Sequence, residues 1–173
     1  MHARPDPEPR LASDPIDAAR ENWARHGWSD AVPGMGVVTA IMRVQQLALS
    51  EVERILRPHG LTFARYEVLM LLSFSRAGSL PIGKVGERLQ VHPASVTNAV
   101  SRLEHDRLVE RSPNPADGRG VMVTITDAGR ELALAVTEEL NELVFRAWPL
   151  STADSEVLYD HLKQVRRAFG DFA

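Results

Sequence analysis

Residues 80–125 leave this chain little freedom of fold. They read LPIGKVGERLQ, then VHPASVTNAVSRLEHDRL, then VERSPNPADGRGVMVTI. The spacing of Ile82, Val85 and Leu89 predicts a short helix over about 81–89 with one inward face. His92-Pro93 restarts the chain as a second helix to about Asp106, whose inner face is Val96, Val100 and Leu103. Residues 108–111 and 121–125 alternate as paired strands, and the Pro- and Gly-rich stretch 113–120 between them is expected to project. Helix, turn, helix and then a hairpin with an arginine near its tip is how a protein lays one helix in a DNA groove with a basic finger beside it.

The second helix has an unusual outer face. With Val96 at the centre of the buried side, Ala94, Asn98, Ser101 and His105 point outward, flanked by Ser95, Thr97 and Arg102. A merely solvated face usually carries Glu and Lys. Small side chains here let the backbone approach base edges, while Asn, Ser and Thr exchange hydrogen bonds with them. The start of the helix also favours a nearby phosphate. In the hairpin loop, Arg119 suits the negative potential of a minor groove, and Asp117 can hold its guanidinium in a charge-assisted pair.

The remaining chain reads as helices. Residues 1–14 are Pro-rich and aperiodic, a flexible tail. Asp14-Pro15 opens a helix to about His26, Val32-Pro33-Gly34 breaks the chain, and a long helix follows over about 35–57. Thr62 caps the next helix, with Tyr66, Leu69, Met70 and Phe74 as its buried stripe and Gly78 as its end. One closing helix spans about 126–148, with Leu132, Val136, Leu140, Leu143, Val144 and Ala147 on one side. Ser151 and Asp154 form a capping box that opens the other, in which Leu158, Leu162, Val165 and Phe169 keep register. The fold class is mainly α with a small β-hairpin wing (α+β).

Composition removes several functions. There is no Cys, hence no disulfide, thiolate metal site or cysteine redox sensor. No uninterrupted run of eighteen apolar residues and no apolar leader occur, so a cytoplasmic protein without membrane spans is expected. The net charge of -3 divides into +2 over residues 62–120 and -5 elsewhere, a local balance compatible with DNA. Residues 78–85 approach a P-loop, but Val85 stands where Ser or Thr should hold magnesium, and a helix rather than a strand is expected before it. The six histidines lack ligand spacing, so no metal, cofactor or catalytic site is assigned and no enzyme activity is expected.

LTFARYEVLMLL, VGERLQVHPASVTNAVSRLEHDRLVER, the D-x-R motif Asp117-Gly118-Arg119 and VTITDAGRE, taken in this order and spacing, resemble the MarR family of winged helix-turn-helix regulators. The resemblance covers sixty to seventy residues. It implies a DNA-binding domain over 61–125 and a helical dimerisation region from 15–60 and 126–173. It further implies a homodimer on a pseudo-palindromic double-stranded operator, typically a repressor released by a small, often aromatic effector. Carried over by position, Ala94, Ser95, Thr97, Asn98, Ser101 and Arg102 face the groove, Arg119 is the minor-groove arginine, Asp117 is its partner, and Arg111 or Ser112 lies near phosphate. Trp23, Trp28, Met42 and Tyr66 are candidates for an effector cleft. Trp23 and Glu67 are similar to features of the urate-responsive branch, whereas Ala99 stands where that branch has an arginine.

Two other readings compete. A winged helix used for protein–protein assembly would show an apolar outer face in place of Asn98, Ser101, Arg102 and Arg119. A sequence-tolerant architectural DNA binder would be denser in Lys and Arg than +2 allows.

Overall fold

The computed structural model describes residues 12–115 and 117–173, with the backbone alone at 118 and 119. Most of the expected N-terminal tail thus lies outside the described residues. Contacts group the chain into two compact units, one ending at Ser50 and one spanning Glu51–Ala173.

In the first unit, α1 (Pro15–Arg25) starts where Asp14 accepts a hydrogen bond from the Ile16 N–H at 2.8 Å, with Pro15 at the first helical position. Trp23 and Trp28 meet edge to face at 5.4 Å, and His26 stacks on Trp28. The expected break at Val32-Pro33-Gly34 is instead the first turn of α2 (Val32–Leu56). A proline there lacks only an N–H that would have had no intrahelical partner. Along α2, Val37, Val38, Ile41, Met42, Val44 and Leu47 are exposed.

By length and composition, the stretch Val32–His59 would also suffice to cross a bilayer. Arg43, Gln45 and Gln46 interrupt the stretch, so no unbroken apolar run marks it in the sequence. Arg43 near a bilayer centre would cost about 2.5–3.5 kcal/mol, and the end of the helix is committed to protein: Val52, Ile55 and Leu56 are buried in the second unit.

That unit continues through a 3₁₀ turn, Arg57–His59, closed by Gly60 at φ +70°. Thr62 caps α3 (Phe63–Phe74) as expected, but the buried stripe is Tyr66, Val68, Leu69 and Leu72. Phe74, expected inside, is 79% exposed. Leu72 lies one turn beyond Leu69 and takes the inward place, which turns Phe74 outward. The helix also ends at Phe74 rather than at Gly78.

A strand that the sequence did not reveal follows, β1 (Ser79–Pro81), leading into α4 (Ile82–Leu89). That strand lies inside the P-loop lookalike of residues 78–85, and the element before the lookalike is the helix α3, as expected. Val85, which has no hydroxyl and is fully buried, excludes it as well. Next come α5 (Pro93–His105), β2 (Val109–Asn114) and β3 (Asp117–Ile125). The sheet is antiparallel in the order β1-β3-β2, with Leu80 opposite Val123 and Val109 opposite Ile125. The expected projecting loop is largely paired: Pro113 faces Val121 and Asn114 faces Asp117, with an irregularity between Pro113 and Asn114. Because β2 is an edge strand, Pro113 costs no central ladder bond.

Beneath the sheet, Val85, Val96, Val100, Leu103, Val109 and Val123 share one core with Leu56, Leu69 and Leu72. Helix α6 (Asp127–Leu140), capped by the Thr126 hydroxyl, adds Ala133, Val136 and Leu140 to it. Gly129 is required at its start, since a β-carbon there would lie 2.1 Å from the Leu108 carbonyl oxygen. The helix widens into a π turn, Asn141–Phe145. Val144 is buried there as expected, whereas Leu143 and Ala147, also expected on that side, are exposed. The Tyr66 hydroxyl meets the Thr137 hydroxyl at 2.9 Å, and His59 Nε2 lies 3.0 Å from Glu139 Oε1, so both α3 and the 3₁₀ turn are tied to α6.

Ser151 and Asp154 form the expected capping box of α7 (Thr152–Ala168): the Asp154 N–H donates to Ser151 Oγ at 3.1 Å, and the Ser151 hydroxyl donates to the Asp154 carboxylate at 2.6 Å. No residue of α7 is buried. Leu158 and Val165 are exposed, and Phe169 just beyond it is 84% exposed.

Candidate nucleic-acid interface

The outer side of α5 is built by what holds its inner side. Val96, Val100 and Leu103 anchor it in the core, which leaves Ala94, Ser95, Thr97, Asn98 and Arg102 exposed together. Ser101 is half-buried. Two hydroxyls on this helix are spent on its own backbone: Thr97 donates to the Pro93 carbonyl at 3.0 Å, and Ser101 to the Thr97 carbonyl at 2.8 Å. Each then offers only lone pairs to an outside partner.

Arg111, from β2, takes one of those of Ser101. Its Nη2 donates to Ser101 Oγ at 2.7 Å and to the Thr97 carbonyl at 3.2 Å, while Nη1 lies 3.2 Å from Glu104 Oε2. Its Nε is buried without a partner among the described residues. This guanidinium, expected near phosphate, is therefore turned toward α5 and joins the hairpin to the helix.

At its start, α5 is capped by an imidazole, the Ala94 N–H donating to His92 Nδ1 at 3.2 Å. Sequence alone does not mark His92 as a cap, because the usual capping residues are Ser, Thr, Asp and Asn. A cleft of about 440 Å³ separates the exposed face of α5 from the start of α3, lined by Thr62, Ala64, Arg65, Ser95, Asn98, Ala99 and Arg102. Arg65 reaches across it to the end of α5, 3.6 Å from Asp106. The cleft thus combines two guanidinium groups with a carboxamide, donors that suit an anionic, hydrogen-bond-accepting surface.

The hairpin tip is only partly in view. Asp117 is exposed on β3, and the Arg119 side chain lies outside the described residues, as does the expected pairing of the two. Gly120 passes close to the opposite strand, where a β-carbon would come within 3.1 Å of the Asn114 side chain.

The candidate effector residues divide between the two units. Trp23, half-buried, and Met42, 62% exposed, belong to the first unit. Tyr66 is a buried core residue of the second, its hydroxyl already bonded. Nearby on α3, half-buried Glu67 has its carboxyl pushed above the ordinary carboxylate range by desolvation.

Comparison with known proteins places this geometry among relatives. The model of the MarR family matches residues 59–120. An uncharacterized HTH-type transcriptional regulator, YhbI of Bacillus subtilis, is 35% identical over 80 residues, 46% of this chain and 51% of the relative. The chain thus matches about half the length of that curated relative. Among solved structures, Sco5413, a MarR family transcriptional regulator from Streptomyces coelicolor, is 48% identical with a TM-score of 0.75, over 82% of this chain and 98% of that one. Sco3205 of the same organism, a MarR family regulator solved in complex with DNA, shares the fold at 23% identity and a TM-score of 0.67, over 76% of this chain and 84% of that one.

Proposed function

This chain belongs to the MarR family, and from that premise we propose that it is a dimeric, sequence-specific DNA-binding regulator of transcription. The observation that carries the proposal is the face of α5: a core-anchored helix presenting Ala94, Ser95, Thr97, Asn98 and Arg102 outward, with the hairpin tied to it through Arg111. In duplex DNA, Asn98 pairs with adenine N6 and N7, and Arg102 with guanine or phosphate. Thr97, its hydroxyl proton engaged, accepts from an exocyclic amine. Ser101 supports the helix more than it reads, because Arg111 and the Thr97 carbonyl occupy its hydroxyl. Arg119 enters the adjoining minor groove, aimed by Asp117.

The partner in assembly is a second copy. Exposed apolar side chains run along α2 (Val37, Ile41, Val44, Leu47) and along the closing helices (Leu143, Val157, Leu158, Val165). Each of these faces is too apolar to stay in water. A two-fold axis then sets the recognition helices about 34–36 Å apart, one turn of DNA. The protein acts in the cytoplasm as a repressor, and family precedent extends the proposal to release by a small aromatic effector. Such release requires unequal affinity of the effector for the DNA-competent and DNA-incompetent arrangements.

The test is a footprint of the purified protein on DNA flanking its coding region, repeated with Asn98→Ala, Arg119→Ala and a panel of small aromatic acids. Asn98→Ala should change the preferred base at one half-site position at a cost of about 1–3 kcal/mol. Arg119→Ala should weaken binding and relax the preference for an A·T-rich flank. Unchanged base preference in both variants would contradict the proposal.

A further inference from the structure

We infer that His92 is itself a DNA contact, its Nε2–H being the donor that α5 offers to a backbone phosphate; the inference rests on the DNA-binding reading above. The backbone at the start of α5 has nothing left to give. Pro93 has no N–H, the Ala94 N–H goes to His92 Nδ1 at 3.2 Å, and the Ser95 and Val96 N–H groups go to the His92 carbonyl at 2.9 and 3.3 Å. The helix end is closed to a phosphate by its own chain.

Its imidazole is not closed. Because Nδ1 accepts a backbone N–H, it carries a lone pair, and the proton of the neutral ring sits on Nε2. The side chain is exposed, two residues before the face formed by Ala94, Ser95 and Asn98, and no described residue accepts from Nε2. The positive end of α5 draws density through Nδ1, which makes Nε2–H a better donor than that of a lone imidazole. The ring therefore relays the donor capacity of the helix outward by the length of one side chain. Lying outside the first turn, it meets the sugar–phosphate strand before any base edge, so a phosphate oxygen is its acceptor.

His92→Ser separates this role from capping. Serine is the stronger cap, so α5 keeps its start, while its short hydroxyl stays against the helix backbone and does not reach outward as the Nε2–H does. Operator affinity of the unaltered protein and of H92S is measured on one selected duplex, over a range of salt and with phosphate-ethylated strands. H92S should bind about tenfold more weakly, with unchanged helix content and an unchanged slope of log K against log salt. Ethylation of one phosphate per half-site should weaken the unaltered protein but not H92S. Equal affinity of the two proteins would overturn the inference. So would a salt slope lower by about 0.9 in H92S, because the ring would then act as a cation. An unaltered protein that binds no duplex would instead overturn the DNA-binding reading, and this inference with it.

Discussion

Arg111 on β2 donates to the Ser101 hydroxyl on α5 at 2.7 Å, and the same guanidinium reaches the Thr97 carbonyl and the Glu104 carboxylate. Hairpin and helix are joined by one side chain with three acceptors on a single helix, so the two should meet DNA as one body. Arg111→Ala should cost about 1–3 kcal/mol of stability and broaden base preference beyond what the stability loss explains. Arg111→Lys keeps the charge but lacks the planar fork, and should recover stability better than selectivity. Chemical denaturation paired with a selection assay on both variants checks this; a selectivity equal to that of the unaltered protein would contradict it.

Gly129→Ala should destabilise, although the same exchange in an exposed helix interior gains about 1 kcal/mol. The new β-carbon would meet the Leu108 carbonyl oxygen at 2.1 Å, and that oxygen also accepts the Thr126 N–H at 3.1 Å. Moving the carbonyl away would shift the entry to β2 and uncap α6. A loss of about 1–3 kcal/mol is expected, read as a lower denaturation midpoint at unchanged m-value.

Glu67 predicts a pH dependence. Desolvation raises its carboxyl above the ordinary range in the folded protein. Between the unfolded and the folded titration, the native state holds the extra proton, so stability falls as pH rises through that window. At neutral pH the partly desolvated charge is a cost, and Glu67→Gln should remove it. Denaturation midpoints taken from pH 4 to 7 should show the unaltered protein losing ground against the Gln variant as pH rises. Parallel curves would contradict this.

The assembly surface can be tested without touching the reading face. Leu47, halfway exposed on α2, and Leu158, exposed on α7, make no contribution to the buried core. Leu47→Glu and Leu158→Glu should leave helix content unchanged while converting dimer to monomer in sedimentation, with operator affinity falling by orders of magnitude as the second half-site is lost. A dimer that survives both substitutions would place the interface elsewhere.

Much of this architecture was legible because local and tertiary signals agree. Val96, Val100 and Leu103 were readable as the inner face of α5 from spacing alone, and all three are buried. Thr62 and the Ser151–Asp154 box announced their helices through side chains that cap the adjoining backbone. Other features are set by partners distant in sequence. Three residues, Ser79–Pro81, become a strand only because β3 lies beside them some forty residues later. Phe74 faces water while Leu72, one turn beyond Leu69, takes the buried place, and which face of α3 is covered depends on the elements packed against it. The π turn at Asn141–Phe145 shifts the helical register in mid-course, and no residue type marks it. Within the candidate site, the polar face of α5 was plain from its residues. The inward turn of Arg111 was not, since it depends on a hydroxyl and a carbonyl on another element.

The central claim is that two copies set α5 into successive major grooves of one duplex. Its most direct test is enrichment of duplexes from a random pool by the purified protein, followed by footprinting and mass measurement of the complex. The expected outcome is an inverted repeat whose half-site centres lie about 10–10.5 base pairs apart, bound by two chains per duplex. Absence of any enriched sequence, or a single unrepeated site bound by one chain, would contradict it.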